Sequence, residues 1–384
     1  MNLSSPFHRI HLSSPEFDGN ELGYIHESFQ AGQIATSGAF IPQFERKLEE
    51  KLGEGCIVAL NSGTSSIHLA LLLLGVGKGD EVICQSLTFV ASANPIVYLG
   101  AEPIFIDSEK TTWNICPNLL EEAILDRISK GKLPKAIISV NLFGMPCQME
   151  ALMEIAHRYG IPVIEDAAES LGSKINGQYC GTMGDIGVFS FNGNKVITTG
   201  GGGAIHTLNA KRARYLSTQS KDNFPHYEHS EIGYNYKMNN IAAGIGIAQL
   251  DSLNKCIRKR REVYHYYEKE LRGFPGISFL PEPEGYFSNR WLSTILINPV
   301  EAGFDTNEIR IFLDKQNIES RPVWKPMHLQ PVYQQALYYG GKIAENLFDQ
   351  GICLPSSSHL NLQEKERVLK CFQVMYQRNF KKSY

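Results

Sequence analysis

The chain has 384 residues, of which 43% are hydrophobic and 20% are charged, a composition typical of a folded globular protein. Its formal net charge of -3 gives no support for a nucleic-acid or membrane-surface partner. The first residues lack the pattern of a secretory signal, and the most apolar segment, LALLLLGVG, is too short to span a bilayer. Eight cysteines without a CxxC pair are typical of reduced cysteine, and no metal-ligand constellation is evident. We therefore expect a cytoplasmic protein that binds no metal, membrane or nucleic acid.

Short apolar runs of strand length alternate with stretches of helical spacing from about Cys56 onward. The strand-like runs are, in order, CIVAL, EVICQS, PIFIDS, KAIISV and IPVIED. This alternation predicts an α/β fold in which helices cover both faces of a large, mostly parallel sheet. Two further strand-like runs, DIGVFSF and GGAIHTL, follow without a full helix between them, and they predict a more elaborate sheet.

A long helical stretch, from about Asn240 to Leu271, leaves this large domain. Beyond it, WLSTILI, NEIRIFLDKQNI and EKERVLKCFQVMYQ predict a smaller C-terminal α+β domain. We place the large domain, with its N-terminal segment, at residues 1–250. The small domain then occupies residues 251–384 and is entered through the long linking helix.

The loop NSGTSS, residues 61–66, follows the first strand-like run and opens a helix. Its glycine lets the backbone approach closely, and its hydroxyl and N–H groups are donors at a helix start. These features favour an anion site, most naturally for a phosphate. Asn and Ser are also ordinary helix caps, so the loop alone leaves both interpretations open.

Two carboxylates, Glu165 and Asp166, end the apolar run IPVI. A carboxylate at the end of a buried strand needs a partner, because an unpaired buried charge is costly. A cationic nitrogen of a ligand would be such a partner. An N-cap role for Asp166 is the alternative that this motif leaves open.

Lys195 stands between the aromatic run GVFSF and four consecutive glycines, 29 residues after Asp166. Lysine is the residue type that forms Schiff bases, although a single loop lysine is more often simply exposed. A phosphate site, an acid for a ring nitrogen and such a lysine are together the requirements of pyridoxal phosphate. The lysine holds the cofactor aldehyde, and the acid keeps the pyridine nitrogen protonated.

Six motifs, in this order, resemble those of the DegT family of sugar-nucleotide aminotransferases: NSGTSSIHLAL, QSLTFVASANPI, FIDSEKTTWNI, PVIEDAAESLG, GDIGVFSFNGNKVITTGGGG and GYNYKMNNIAAGIGIAQL. The resemblance runs from about Leu12 to beyond Pro355. It implies the fold-type I architecture of pyridoxal 5'-phosphate enzymes, with pyridoxamine phosphate as the amino form of the cofactor. It also implies a homodimer whose active sites are shared between the subunits.

The resemblance assigns roles to individual residues. Lys195 matches the catalytic lysine that anchors the cofactor, and Asp166 matches the catalytic partner of the pyridinium nitrogen. Phe89 matches the aromatic residue that stacks on the ring, with a core position as the alternative. Glu169 stands near the ring hydroxyl, where many relatives carry Gln or His. The phosphate-binding positions are Gly63, Thr64, Ser65, Ser190 and Asn235, the last of which reaches across from the neighbouring subunit.

The chain departs from the family pattern at two further places. TTGGGG replaces the commoner TTGEGG, and Lys237 replaces a frequent Arg. A lysine cannot form the bidentate hydrogen bonds that an arginine forms with an anion. Cationic side chains are suited to binding a diphosphate, and an indole is suited to stacking on a base or a sugar. For each such residue, a packing role or a solvent-exposed position is the alternative to substrate binding. The residues that we expect to contact the substrate are Asn192, Lys237, Arg321, Trp324, Lys325 and His328.

The activity that the resemblance implies is transfer of an amino group from L-glutamate to a nucleotide-linked ketosugar. LSSPEFDGNELGYI, SFNGNK and ESRPVWKPMHLQPVY resemble the branch that aminates carbon 4 of a UDP-4-keto-6-deoxy-N-acetylhexosamine, the bacillosamine-type route to glycan building blocks. A 3-aminotransferase acting on a dTDP-3-keto-6-deoxyhexose is the alternative enzyme.

Other classes of protein fit less well. A nicotinamide-dependent dehydrogenase would need GxGxxG after the first strand, whereas GGGG occurs late in the sheet. The family's sugar dehydratases carry His where this chain has Lys195. A non-catalytic ligand-binding relative would not need to retain both Lys195 and Asp166.

Overall fold

The structure is a computed structural model, and it describes residues 8–53 and 55–380. The helices within these residues are α1 (Asn20–Gln30), α2 (Phe40–Leu52), α3 (Gly63–Leu73), α4 (Asn94–Tyr98), α5 (Pro117–Ser129), α6 (Met149–Tyr159), α7 (Ala210–Ser217), α8 (Asn240–Leu271), α9 (Pro299–Ala302), α10 (Thr306–Lys315), α11 (Ile343–Gln350) and α12 (Leu362–Phe380). The strands are β1 (Cys56–Leu60), β2 (Glu81–Gln85), β3 (Glu102–Ile106), β4 (Ala136–Val140), β5 (Val163–Asp166), β6 (Lys174–Ile175), β7 (Gln178–Tyr179), β8 (Ile186–Ser190), β9 (Gly203–Thr207), β10 (Ile277–Phe279), β11 (Tyr286–Phe287), β12 (Ser293–Ile297), β13 (Arg321–Pro322), β14 (Leu337–Tyr339) and β15 (Gly351–Leu354).

The largest sheet has eight strands in the order β1-β9-β8-β5-β4-β2-β3-β14. All neighbouring pairs are parallel except the two that involve β9, which runs antiparallel to both β1 and β8. The predicted mostly parallel α/β sheet is therefore confirmed. The two runs without a full helix between them, DIGVFSF and GGAIHTL, form β8 and the reversed strand β9.

Helices cover both faces of this sheet, as the alternating side chains of β1 illustrate. Ile57 and Ala59 enter a core cluster that includes residues of α2 and α8. Val58 and Leu60 point to the opposite face and pack in a second cluster with residues of α3 and α7. Both faces of the strand are buried, which explains why CIVAL is a continuous apolar run.

Two smaller sheets lie beside the large one. Strands β10, β12, β15 and β13 form an antiparallel sheet, and a core cluster joins it to α10, α12 and the second half of α8. Strands β11, β6 and β7 form the other sheet. The strand β14 belongs to the large sheet, although it lies within residues 251–384. The division of the chain at residues 250 and 251 stays a prediction.

Several chain segments meet at one edge of the large sheet. Leu60, at the end of β1, pairs with Gly203, at the start of β9, and Gly203 also pairs with Ser190, at the end of β8. Asp166 ends the next strand, β5, and pairs with Val188. Carboxyl ends of parallel strands are where open α/β sheets bind ligands. The polar loops that the sequence analysis selected therefore lie on one edge.

A buried ion pair attaches α5 to the large sheet. Arg127 donates from Nε and Nη2 to the two carboxylate oxygens of Glu81, at 2.8 and 2.6 Å. The side chain of Glu81 is 2% exposed and that of Arg127 is 9% exposed. Removing one member of such a pair leaves a buried charge with less compensation.

We expect Arg127→Met to lower the free energy of unfolding by about 3 kcal/mol, because Glu81 would keep its buried charge and lose a bidentate partner. Thermal unfolding of the purified variant measures the loss. Arg158→Met is the matched control, since Arg158 pairs with Glu121 at the surface. Equal destabilisation by the two variants would contradict this interpretation of the buried pair.

Among the described residues, no helix is both long enough and apolar enough to cross a membrane.

Candidate active site

A cavity of about 320 Å³ opens at this edge of the sheet. Strand ends and the loops that follow them form its walls, as the general rule for α/β sheets predicts. The residues that line it are Ser62, Gly63, Thr64, Ile67, Thr88, Phe89, Ala91, Ser92, Val140, Asp166, Ala168, Glu169, Ser190, Asn192, Asn194, Lys195, Gly201, Gly202, Trp291 and Trp324.

One end of the cavity is the start of α3. Ser62 is the N-cap of this helix, and its hydroxyl accepts the backbone N–H of Ser65 at 3.0 Å. Gly63 and Thr64 are the first residues of the helix, so their N–H groups have no partner within it. The helix start and these N–H groups make an anion site by geometry and by dipole.

Glycines allow the chain to pass closely around this end. A Cβ on Gly63 would lie 2.9 Å from Cβ of Ser190, and one on Gly203 would overlap the carbonyl of Ser62. Gly202 is closely packed against Thr199, and Gly200 has a φ of +80°. Three of the four consecutive glycines are thus required by packing or by conformation. The fourth, at position 201, lines the cavity with open space beside it.

The two carboxylates that end β5 point to opposite faces of the sheet. Asp166 lines the cavity, where it accepts the hydroxyl of Ser92 at 2.7 Å and the N–H of Ala168 at 3.1 Å. Glu165 accepts the side-chain amide of Asn141 at 2.9 Å and backbone N–H groups from residues 183–184. The strand alternation therefore gives Asp166 to the cavity and leaves Glu165 as a buried structural acid.

Burial raises the pKa of the Asp166 carboxyl above its usual range, while the hydrogen bond from Ser92 opposes that rise. Burial likewise raises the pKa of Glu169, and the positive charge of Lys195 opposes it. Both carboxylates are almost fully buried. The cavity therefore attracts a cationic group of a ligand, because a second positive charge would stabilise the ionised forms of both carboxyl groups.

The amino group of Lys195 lies inside the cavity between two partners. Its Nζ atom is 3.5 Å from Oε1 of Glu169 and 4.0 Å from the ring centre of Trp291. The other oxygen of Glu169 accepts the backbone N–H of Phe143 at 2.7 Å. The lysine that the sequence analysis placed in a loop is thus an inward-facing amine beside buried acids.

The rings of Phe89, Trp291 and Trp324 form the remaining wall, and Phe143 packs behind Trp324. The rings of Phe89 and Phe143 lie 6.3 and 5.3 Å from the ring of Trp324, and that of Trp291 lies 6.4 Å from it. Phe89 is 56% exposed, so it is a wall of the cavity mouth rather than a core residue. Such a ring is available to stack on a planar ligand.

Six of the predicted cofactor or substrate residues lie outside the cavity lining formed by the described residues, and the first three are Ser65, Asn235 and Lys237. The hydroxyl of Ser65 donates to the side chain of Asn61 at 2.6 Å, within the start of α3. Asn235 is exposed, and its carbonyl accepts the side-chain amide of Asn61 at 3.1 Å. Lys237 is half-buried and forms an isolated bridge with Leu60.

The predicted substrate residues of the segment 321–328 are dispersed. Trp324 lines the cavity, whereas Arg321 and Lys325 are exposed, and Arg321 pairs with Glu319. His328 contacts the hydroxyl of Ser86 at 2.7 Å and stacks on Tyr338 with ring centres 3.8 Å apart. Burial lowers the pKa of His328. Asn192 does line the cavity, and its carbonyl accepts the N–H of Lys195.

Ser92 and Trp291 are among the lining residues that the sequence analysis missed. Ser92 lies three residues after Phe89 in a single helical turn, and this spacing places both on one side of the turn. The i, i+3 pattern could have identified it. Trp291 lies 96 residues after Lys195 in the chain, and no local pattern connects the two.

The residues of the cavity fit pyridoxal phosphate. The helix start at Ser62, with its glycine cradle, suits the phosphate, and the buried carboxylate of Asp166 suits the pyridinium nitrogen. Lys195 supplies the amine, and Phe89 a face for the ring. In residues 8–53 and 55–380, no group of three or more His, Cys, Asp or Glu side chains could hold a metal ion.

Comparison with known proteins agrees with this geometry. The DegT/DnrJ/EryC1/StrS aminotransferase family matches residues 15–373. EpsN of Bacillus subtilis is 46% identical over 94% of either chain. GDP-perosamine synthase of Escherichia coli O157:H7 is 38% identical over 96% of this chain and 98% of its own length.

A solved structure has the same fold. PseC of Helicobacter pylori, an aminotransferase involved in the biosynthesis of pseudoaminic acid, superimposes with a TM-score of 0.87 at 26% identity, covering 96% of this chain and all of PseC. The predicted fold, cofactor and enzyme class are confirmed. The chain belongs to the DegT/DnrJ/EryC1/StrS family and is a pyridoxal phosphate-dependent sugar-nucleotide aminotransferase.

Proposed function

We propose that this enzyme transfers the amino group of L-glutamate to carbon 4 of a UDP-4-keto-6-deoxy-N-acetylhexosamine, with Lys195 and Asp166 as its catalytic residues. The observation that supports these roles is their meeting in one cavity: Nζ of Lys195 lies beside buried carboxylates, next to a helix start that suits a phosphate. The family membership supports the reaction class.

Each residue has a distinct task in this proposal. When bound, pyridoxal phosphate supplies an electron sink for the carbon that exchanges its proton. Lys195 anchors the cofactor and then moves a proton between the α-carbon of the donor and the cofactor carbon. The carboxylate of Asp166 keeps the pyridine nitrogen protonated. Phe89, which lines the cavity, would pack on the cofactor ring and exclude water from one face of it.

The nucleotide part of the substrate lies at the mouth of the cavity in this proposal. A volume of about 320 Å³ is at the lower end for a small-molecule site, so a cofactor and a nucleotide sugar do not both fit inside. The exposed cations Arg321 and Lys325 flank Trp324, which lines the cavity. They are therefore suited to a diphosphate at the mouth.

The choice of nucleotide and carbon atom rests on the motifs in the segments around residues 12–25, 190–195 and 319–333. A relative named for a GDP-sugar is 38% identical, so a GDP-linked ketosugar is a competing acceptor. A dTDP-3-keto-6-deoxyhexose is the other competitor. The acceptor test below separates the three.

We further propose a homodimer in which Asn235 reaches the phosphate site of the partner subunit. Its side chain is exposed, while its backbone is bonded to Asn61 beside the anion site of its own chain. Ile232, three residues earlier in the chain, is 81% exposed. Tyr98, which is 58% exposed, packs on the same His68 ring as Tyr234, the residue before Asn235. Exposed apolar surface of this kind favours a protein interface.

The first experiment adds L-glutamate to the enzyme loaded with pyridoxal phosphate and records its visible absorbance. We expect the band of the lysine-bound cofactor to disappear and to return when one ketosugar nucleotide is added. The panel contains UDP-4-keto, GDP-linked and dTDP-3-keto sugars. Return of the band with the GDP or dTDP compound alone would contradict the proposed acceptor.

Lys195→Ala is the control for the same experiment. It should bind pyridoxal phosphate without showing the lysine-bound band, because the amine that forms the bond is absent. Lys211→Ala, on a surface position of α7, keeps the band. A normal band in Lys195→Ala would refute the proposed role of Lys195.

Ser92→Ala should move the acidic limb of the kcat/KM profile to higher pH. The hydroxyl of Ser92 donates to Asp166, and its removal raises the pKa of a carboxyl that burial has already raised. Asp166 would then become protonated, and lose its charge, at a higher pH. Ser92→Thr retains the hydroxyl and serves as the control. An unchanged acidic limb in Ser92→Ala would count against this role.

Mixed dimers test whether Asn235 acts across an interface. Lys195→Ala and Asn235→Asp should each be inactive or weak alone, the latter because a new negative charge meets the phosphate. Random mixed dimers carry one intact site in half of the molecules, so about a quarter of the wild-type activity should return. Activity that does not return on mixing would place Asn235 in its own subunit's site or outside the sites.

A further inference from the structure

The amino group of Lys195 has an aromatic partner that no motif assigned. Trp291 is 1% exposed, and its ring lies 4.0 Å from Nζ of Lys195. Oε1 of Glu169 is 3.5 Å from the same nitrogen. An ammonium between an indole face and a carboxylate is stabilised by both, and Trp is the best aromatic partner for a cation.

Trp291 itself is held in a fixed orientation. Its indole N–H donates to the carbonyl of Asn194 at 2.7 Å, one residue before the lysine. Its backbone N–H donates to the side chain of Asn289 at 2.9 Å. The ring therefore has contacts both with the side chain of Lys195 and with the loop that carries it.

The same segment supports the second partner of the ammonium. The side-chain amide of Asn289 donates to the carbonyls of Glu169 and Leu171, both at 3.0 Å. Arg290, between Asn289 and Trp291, has a φ of +51°, and its guanidinium lies 3.7 Å from the ring centre of Tyr264. A non-glycine residue at such a φ is strained, and packing maintains it here.

We propose that Trp291 is a positioning residue for Lys195. Together with Glu169, its ring stabilises the ammonium form that the lysine has as it leaves the cofactor, and the lysine gives up that proton before it acts as a base. This inference rests on the proposed role of Lys195. When a protonated amine replaces the lysine, the bond between the cofactor carbon and the lysine nitrogen would break, the incoming nitrogen would bond to that carbon, and the three protons of the amine would pass to the lysine, which leaves as an ammonium. Trp291 thus favours the release of the lysine.

This role and simple packing predict opposite effects for the loss of the ring. A ring that only packs the cavity would, on removal, loosen the site and make the bond between lysine and cofactor easier to replace. A ring that stabilises the released ammonium would, on removal, make the lysine harder to displace. The equilibrium between bonded and displaced lysine therefore distinguishes the two.

The test titrates the cofactor-loaded enzyme with ethylamine, which lacks the carboxylates of the amino donor and so makes few contacts with substrate-binding side chains. Borohydride then fixes the cofactor to whichever nitrogen holds it, and the intact protein mass gives the fraction still bonded to Lys195. No turnover is needed. The midpoint is the ethylamine concentration that displaces half of the lysine.

We expect Trp291→Leu to raise this midpoint about tenfold, within the range of a desolvated cation–π contact. Trp291→Phe keeps a smaller ring and should raise it less. Trp113→Leu is the control, because it removes a buried indole that does not line the cavity. Its midpoint should equal that of the wild type.

A midpoint for Trp291→Leu at or below the wild-type value overturns the inference, and so does an equal midpoint for the Phe and Leu variants. If Trp291→Leu does not fold, Trp291→Phe and Glu169→Gln must each raise the midpoint, and unchanged values overturn the inference. Lys195→Ala should show no adduct mass. An adduct in that variant would refute the role of Lys195 and the inference with it, whereas unchanged Trp291 midpoints with no such adduct refute the inference alone.

Discussion

The burial of two carboxylates beside one amine is the constraint on which the site depends. Asp166 and Glu169 are each at most 5% exposed, and Lys195 is the cation that both contact electrostatically. Because buried charges need fixed partners, the surrounding loops must supply donors at set places. Ser92 supplies one to Asp166, and the backbone of Phe143 supplies one to Glu169. The loops after the strands therefore have conformations determined by charge compensation as much as by chain connection.

The reversed strand β9 connects this charge arrangement to the anion site. Since β9 lies between β1 and β8 and runs against both, its first residue, Gly203, pairs with the last residues of the two strands. The chain between β8 and β9, residues 191–202, must then turn above the start of α3, and Lys195 lies in that turn. Glycines at 202 and 203 are needed because neighbouring atoms occupy the space of a Cβ. The irregularity in the sheet order is thus what brings the lysine to the helix start.

Local patterns predicted those parts of the fold and site that local forces determine. The apolar runs predicted seven of the eight strands of the large sheet, all except β14. The combination of a phosphate site, an acid and a lysine predicted that Asp166 and Lys195 belong to one site. The same pattern left Glu165 and Asp166 undistinguished, because only packing shows which face contains the cavity. Trp291 could not be predicted, since its contact with Lys195 depends on how a distant segment packs. His328 likewise lies against Ser86 for reasons of tertiary packing that its motif does not contain.

The position of the segment 235–238 bears on how the proposed cofactor site is completed across the dimer. Its backbone is bonded along the end of β1: Asn61 donates its N–H to Tyr236 at 2.7 Å, and Lys237 bridges to Leu60. The next residues of the chain are Ser62 and Gly63, whose helix start suits the phosphate. A contact made by the exposed side chain of Asn235 is therefore coupled through two or three residues to the anion site of its own chain. If Asn235 reaches the phosphate of the partner subunit, the residue that completes the neighbouring site is joined by a few backbone hydrogen bonds to the anion site of its own chain. Dimer assembly and cofactor binding would then stabilise each other.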